Sequence, residues 1–117
     1  MGNKEQKIYA KAEFRRNLLP EAHRHPVFIA GKQGHYYYAI GITHSNFIDG
    51  IGDTIPLTES PAPDDTRRCF AKPFIEKIHK RYLGEKLIGW EASSVDLAKF
   101  KAMFKRALKK SGNYVKP

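Results

Sequence analysis

The sequence predicts an α+β protein: a small, partly open antiparallel β-barrel with one amphipathic helix at its C-terminal end. Three observations predict it. Between Pro26 and Trp90 the chain breaks into short aromatic and β-branched runs separated by Gly, Pro and Asp turns. After Ser93, apolar residues recur at helical spacing. The length, 117 residues, suffices for one hydrophobic core and not for two, so residues 1–117 are read as a single basic domain.

Residues 1–20 are ambiguous. Ile8, Ala10, Ala12 and Phe14 alternate as in a strand, while Ala10 and Phe14 also share a helical face. The segment is read as a mobile or weakly helical lead-in ending at Leu18-Leu19-Pro20. The run Val27-Phe28-Ile29-Ala30, the turn-forming Gly31-Lys32-Gln33-Gly34 and the run His35 to Thr43 make a β-hairpin. Gly41 inside the second run marks a bulge or a close backbone approach. Asp49 to Asp53 reads as turns, and Thr54-Ile55-Pro56-Leu57 as a short strand that Pro56 confines to a sheet edge. Thr58 to Thr66 has the composition of a surface loop. Arg67 to Phe74 carries a strand centred on Cys69-Phe70-Ala71, and Leu83 to Trp90 a turn and a last short strand, with residues 75–82 either helical or extended.

The helix is the plainest element. Ser93 can cap it, Asp96 stands at the third position of its first turn, and Leu97, Phe100, Phe104, Ala107 and Leu108 form one apolar stripe. Gly112 is the expected stop.

Charge points to the partner. Lys and Arg exceed Asp and Glu by nine. Residues 1–66 hold 7 basic and 8 acidic side chains, whereas residues 67–117 hold 14 and 4. A one-sided excess of this size concentrates polyanions by field alone, and single-stranded RNA is the expected partner. Arg67, Arg68, Lys72, His79, Lys80, Arg81, Lys101 and Lys105 are the expected phosphate contacts. Tyr36-Tyr37-Tyr38 reads as strand core, with base stacking the alternative role for one ring. A membrane is not an expected partner, because no run of about 18 apolar residues is present. The polar start and the single cysteine, Cys69, suit a cytoplasmic location. No cofactor or metal is expected, since the sequence holds no Cys pair, no Gly-rich phosphate loop and no His spacing that makes a metal site by itself.

His25-Pro26-Val27-Phe28-Ile29-Ala30, followed by Gly34 to Ser45, resembles the core of the PemK/MazF-like toxins over roughly residues 24–57. That group runs Arg-Pro and three apolar residues, a variable turn, then an apolar strand ending in Thr-Ser. The type III toxin branch, with the same barrel, is the other group it resembles. The resemblance implies an SH3-like barrel, metal-independent RNA cleavage, a homodimer, and an antitoxin of protein or RNA as partner. It also implies that Arg24 or His25 stands where the family has Arg, and Thr43 or Ser45 where it has Thr/Ser. Two departures are plain: His25 directly precedes Pro26, and His44 interrupts the Thr-Ser pair.

Metal-free RNA cleavage needs a base for the 2′-hydroxyl proton, an acid for the leaving 5′-oxygen, and cations around the transition state. His25 starts one hairpin strand and His44 follows the end of the other, so both are expected at one end of the same sheet, where they fit the proton roles. Arg24, Thr43 and Ser45 are expected beside them. The leading expectation is therefore a toxin-type or phage-defence endoribonuclease. The alternatives are a non-enzymatic nucleic-acid-binding barrel and a defence protein that grips a protein partner by its basic face.

Overall fold

The computed structural model describes residues 7–8 and 13–110. In chain order the elements are β1 (Lys7–Ile8), β2 (Phe14–Asn17), β3 (Pro26–Gln33), β4 (Tyr36–Thr43), β5 (Phe47–Ile48), β6 (Gly52–Asp53), β7 (Ile55–Pro56), β8 (Phe70–Ala71), β9 (Glu76–His79), β10 (Leu83–Lys86) and α1 (Ser94–Lys110). Short 3₁₀ turns at Pro20–Ala22 and Lys80–Tyr82 complete the set.

The predicted hairpin is the centre of the fold. β3 and β4 pair antiparallel from Val27 opposite Gly41 to Gln33 opposite Tyr36. The turn is tighter than the sequence suggests. Gly31, Lys32 and Gln33 continue β3, and only Gly34-His35 reverses the chain, with Gly34 at φ 62°. One irregularity in register falls between Ile29 and Gly31, so the bulge lies on β3 at Ala30 and not at Gly41.

Around this hairpin the main path runs β10-β2-β3-β4-β8-β7, with β1 pairing β3 and β9 pairing β4. The sheet is antiparallel throughout and does not close on itself. β7 forms one end of the path, the edge position expected from Pro56. β8 is shorter than the run around it suggested, residues 76–79 resolve to strand, and the turn expected near Gly84 comes instead at Ile88-Gly89, after β10.

The lead-in reading is corrected over the described part of residues 1–20, which holds β1 and β2. Phe14–Asn17 is an internal strand, paired to β3 on one side and β10 on the other. Phe14 is fully buried, edge-on to Phe28 at 5.3 Å. β1 likewise pairs with β3. Burial of one large ring decided between two weak periodicities. Ala10 and Ala12 lie outside the described residues.

The run Val27 to Ala30 lacks alternation because both faces of the hairpin are covered. On one face Phe28, Tyr38 and Ile40 meet Phe100, Met103 and Phe104 of α1. Phe28 stacks on Phe100 at 4.3 Å, and Tyr38 contacts Phe104 at 5.7 Å. On the other face Val27, Ile29 and Ala39 pack with Ile78 and Leu83. Met103 joins the helix stripe beside the expected Phe100 and Phe104; the Leu108 side chain and Gly112 lie outside the described residues.

The helix start does more than close a cap. Ser93 Oγ accepts the Asp96 amide at 3.1 Å, as the sequence suggests. The fully buried Asp96 carboxylate accepts instead from the Thr58 amide (3.0 Å) and hydroxyl (2.9 Å), and Lys99 approaches it at 3.5 Å. The helix thereby holds the start of the long loop that follows β7.

Phe14→Ala is expected to lower stability by about 3–5 kcal/mol, as is Phe104→Ala, the usual cost of emptying a buried ring site. Denaturant titration measures it. An unchanged midpoint for Phe14→Ala would restore the lead-in reading.

Candidate functional site

The β3–β4 register brings the two candidate histidines together. Continued two steps past Val27 and Gly41, it sets His25 opposite Thr43, with His44 next in the chain. Here a cleft of about 320 Å³ opens, near the lower end of the ~300–1,000 Å³ of ligand sites. Its walls come from Arg16 of β2, His25 and Pro26, Ile42, Thr43 and His44 at the end of β4, Asp65 and Arg67 of the loop, and Trp90.

His25 emerges from a tight turn. His23 and Arg24 both adopt left-handed backbone, at φ 50° and 58°. His tolerates this region; a long side chain such as Arg adopts it at a cost. The turn is fixed because the His25 amide donates to the Ala22 carbonyl at 3.0 Å, and the Asn17 amide donates to the His25 carbonyl at 3.0 Å. The His25 pKa is lowered below the ordinary 6.5, by burial first, then by Lys72, His23, His44 and Arg16. At neutral pH the ring is a neutral base.

His44 has a different environment. Its Nε2 lies 3.2 Å from Asp65 Oδ2. Asp65 is also clasped by Arg67, whose Nε and Nη2 donate at 3.1 and 2.9 Å and whose amide donates at 3.0 Å. These bonds hold the Asp65 carboxyl well below the usual carboxylate range. The ionised Asp65 carboxylate therefore orients the His44 ring. The two histidines sit in contrasting fields, one beside cations and one on a carboxylate.

Arg16 supplies the cation. It contacts Trp90, with the guanidinium 5.5 Å from the ring centroid, and Nη1 donates to the Arg24 carbonyl at 3.2 Å. Arg24 thus contributes its carbonyl to the site's support, and its side chain is exposed and does not line the cleft. Thr43 lines the cleft and its Oγ1 accepts the Ser45 amide at 3.2 Å. Ser45 lies outside the lining, and its carbonyl accepts the Thr54 hydroxyl at 2.8 Å. Of the five expected catalytic positions, His25, Thr43 and His44 converge.

The expected phosphate contacts divide. Arg67 is in the cleft wall, already paired with Asp65. Arg68 is exposed, its guanidinium 5.6 Å from the Phe70 ring centroid. Lys101 and Lys105 are exposed on α1. His79, Lys80 and Arg81 sit at the opposite end of β4, beside the Gly34-His35 turn, where the Lys80 amide donates to the His35 carbonyl. Lys72 adjoins a smaller hollow behind His25, shared with Asn17 and Glu76. Its stem crosses β4 directly over Gly41: a Cβ there would stand 2.9 Å from Lys72 Cδ. Of the bulge and the close backbone approach that the sequence suggests for Gly41, neither is the reason for the glycine; the close approach is by a side chain, the Lys72 stem.

Arg16, Asp65 and Trp90 were not legible as site residues. Arg16 falls in the ambiguous lead-in, Asp65 in a loop defined by composition, and Trp90 at a strand end. The only local signal is Asp65 two residues before Arg67. Among the described residues no group of three or more His, Cys, Asp or Glu side chains is placed to hold a metal ion. No helix among them is long and apolar enough to cross a membrane. Comparison with protein-family models, curated proteins and solved structures finds no match to the chain.

Lys72→Met is expected to raise the His25 pKa part of the way to 6.5, since burial persists when the charge is gone. Gly41→Ala should do the same by pushing the Lys72 stem aside. Imidazole NMR titration reads both. A His25 titration identical in all three proteins would remove Lys72 from the site.

Proposed function

We propose that the protein is a metal-independent endoribonuclease of the toxin–antitoxin or phage-defence type, acting on single-stranded RNA in the cytoplasm. The observation that carries this reading is one cleft lined by two histidines in contrasting fields, with Arg16 beside them. His25, neutral, removes the proton from the 2′-hydroxyl. The 2′-oxygen attacks phosphorus, the bond to the 5′-oxygen breaks, and His44, held by Asp65, acts as the acid that delivers a proton to that oxygen. The products are a 2′,3′-cyclic phosphate and a 5′-hydroxyl. Arg16 faces the charge that grows on the phosphoryl oxygens, Thr43 offers a hydroxyl, and Trp90 offers a ring face.

The same reading gives the fold its finer description. A hairpin whose strands each pair with several short strands, capped by a terminal helix, is consistent with a partly open SH3-like barrel. It is in keeping with the resemblance to PemK/MazF-like toxins, which brings with it a homodimer and an antitoxin as partners. Arg16, from β2, replaces Arg24 as the arginine at the phosphate. A second reading, a non-enzymatic RNA-binding module, draws on the engagement of both His44 and Arg67 by Asp65 and on the position of Arg24 and Ser45 outside the cleft.

Incubation with long single-stranded RNA in EDTA decides between them. Cleavage is expected, with His25→Ala and His44→Ala each costing on the order of 10²–10⁴ in rate. The double substitution should cost much less than the product, because the pair acts as a unit. The pH profile should be bell-shaped, its acidic limb below pH 6.5 because His25 is held below that value. Binding without cleavage selects the module; a double variant that cuts at the parent rate removes the histidines from the mechanism.

RNA affinity should also fall steeply between about 50 and 200 mM salt as counterions are released. A flat response would remove the electrostatic account.

A further inference from the structure

The end of β4 away from the cleft has its own chemistry. Thr43 and Tyr36 are separated by the length of the strand, about 23 Å at ~3.3 Å per residue. β9 pairs with this end, His79 opposite Tyr36 and Lys77 opposite Tyr38, so these four side chains share a sheet face. α1 covers Tyr38 through Phe104. Tyr36, one pleat further on, passes beyond that cover and is 40% exposed.

An organised group surrounds it. The His79 ring stands edge-on to Tyr36 at 5.0 Å and lies near-parallel to His35 at 6.0 Å. Lys77 Nζ is 5.0 Å from the Tyr36 ring centroid. The Lys80–Tyr82 turn follows directly, with Arg81 5.5 Å from the centroid of Tyr82, itself 37% exposed. Among the described residues, Lys77, Lys80 and Arg81 form no salt bridge. His79 is held below its ordinary pKa by burial and by Arg81, His35 and Lys80, which leaves its ring neutral at neutral pH.

Exposed rings interleaved with uncompensated cations are what a single strand of nucleic acid requires: π-faces for bases and positive charge for the phosphates between them. A folded acidic protein would satisfy the cations and leave the rings without a matched partner. We propose that Tyr36, His35 and His79, flanked by Lys77, Lys80 and Arg81, form a second subsite for single-stranded RNA. There a base stacks on the exposed rings and the cations hold the adjoining phosphates. The inference rests on the RNA reading of the cleft for the identity of the strand. A separation of about 23 Å is several nucleotides, within the ~4–16 nucleotides of single-strand sites. The edge carrying β8, Lys72 and β9 connects the two places.

The test uses a labelled twelve-residue oligodeoxythymidylate, which lacks the 2′-hydroxyl and reports binding without cleavage. By fluorescence anisotropy, Tyr36→Ala is expected to weaken binding roughly 5- to 150-fold, the range for loss of one stacking ring. Tyr36→Phe should retain it. The double variant Lys80→Ala/Arg81→Ala should reduce the slope of log affinity against log salt by about 1.4, near 0.7 for each single-strand phosphate contact. Circular dichroism melting of each variant separates loss of the ring from loss of the fold. Parent-like affinity and slope in all the variants would overturn the subsite, as would a parent protein that does not bind the oligonucleotide. If Tyr36→Ala weakens binding and the parent cuts no RNA, the subsite stands and the nuclease reading falls.

Discussion

The rest of the structure depends on the pairing of one strand. β4 is bonded to β3 along most of its length, while its other edge passes from β9, at Tyr36 to Ala39, to β8, at Ile42 and Thr43. Gly41 lies next to that exchange, and its carbonyl accepts the Lys72 amide at 2.9 Å. A shift of one residue between β3 and β4 would turn every side chain of one strand to the other face. It would move Phe28 and Ile40 out of the core that α1 covers, and His25 away from Thr43. The same register therefore fixes the core and the candidate site.

The loop between β7 and β8 is tied to this frame at both ends. At its start, Thr58 is held by the buried carboxylate of Asp96, so the first turn of α1 anchors it. Between these ends Asp65 reaches His44, and at its close the Leu57 amide donates to the Cys69 carbonyl. These contacts give an otherwise irregular segment a defined path along the cleft. They also explain a single ion-pair cluster at the site: Asp65 both closes the loop on itself through Arg67 and aligns an imidazole on the strand it faces.

The sequence made the hairpin and the helix legible because each is defined by local chemistry: apolar runs about a Gly-containing turn, and apolar positions three and four apart after Ser93. It also brought His25 and His44 to one place, since hairpin pairing follows from the turn. What it left obscure depends on contacts distant in the chain. Phe14 is strand because Phe28 and Trp90 bury it, a distant contact that decides between the two periodicities residues 1–20 carry. The turn narrows to Gly34-His35 because Gly31, Lys32 and Gln33, turn-forming by composition, pair with Tyr38, Tyr37 and Tyr36. Asp65 and Arg16 join the cleft from segments whose composition suggests loop and lead-in. Arg24, singled out by the family resemblance, points elsewhere because its left-handed backbone directs the turn rather than the side chain.

In the proposed mechanism, His25 and His44 pass protons around a 2′-oxygen attack on RNA. The chemistry of the cut ends tests it most directly. RNA cleaved by the protein and resolved by mass spectrometry should carry 2′,3′-cyclic phosphate on the upstream fragment and a 5′-hydroxyl on the downstream one. A substrate with 2′-deoxy residues at the cut positions should survive intact. Fragments ending in 3′-hydroxyl and 5′-phosphate, or cleavage of the 2′-deoxy substrate at the same positions, would contradict the claim.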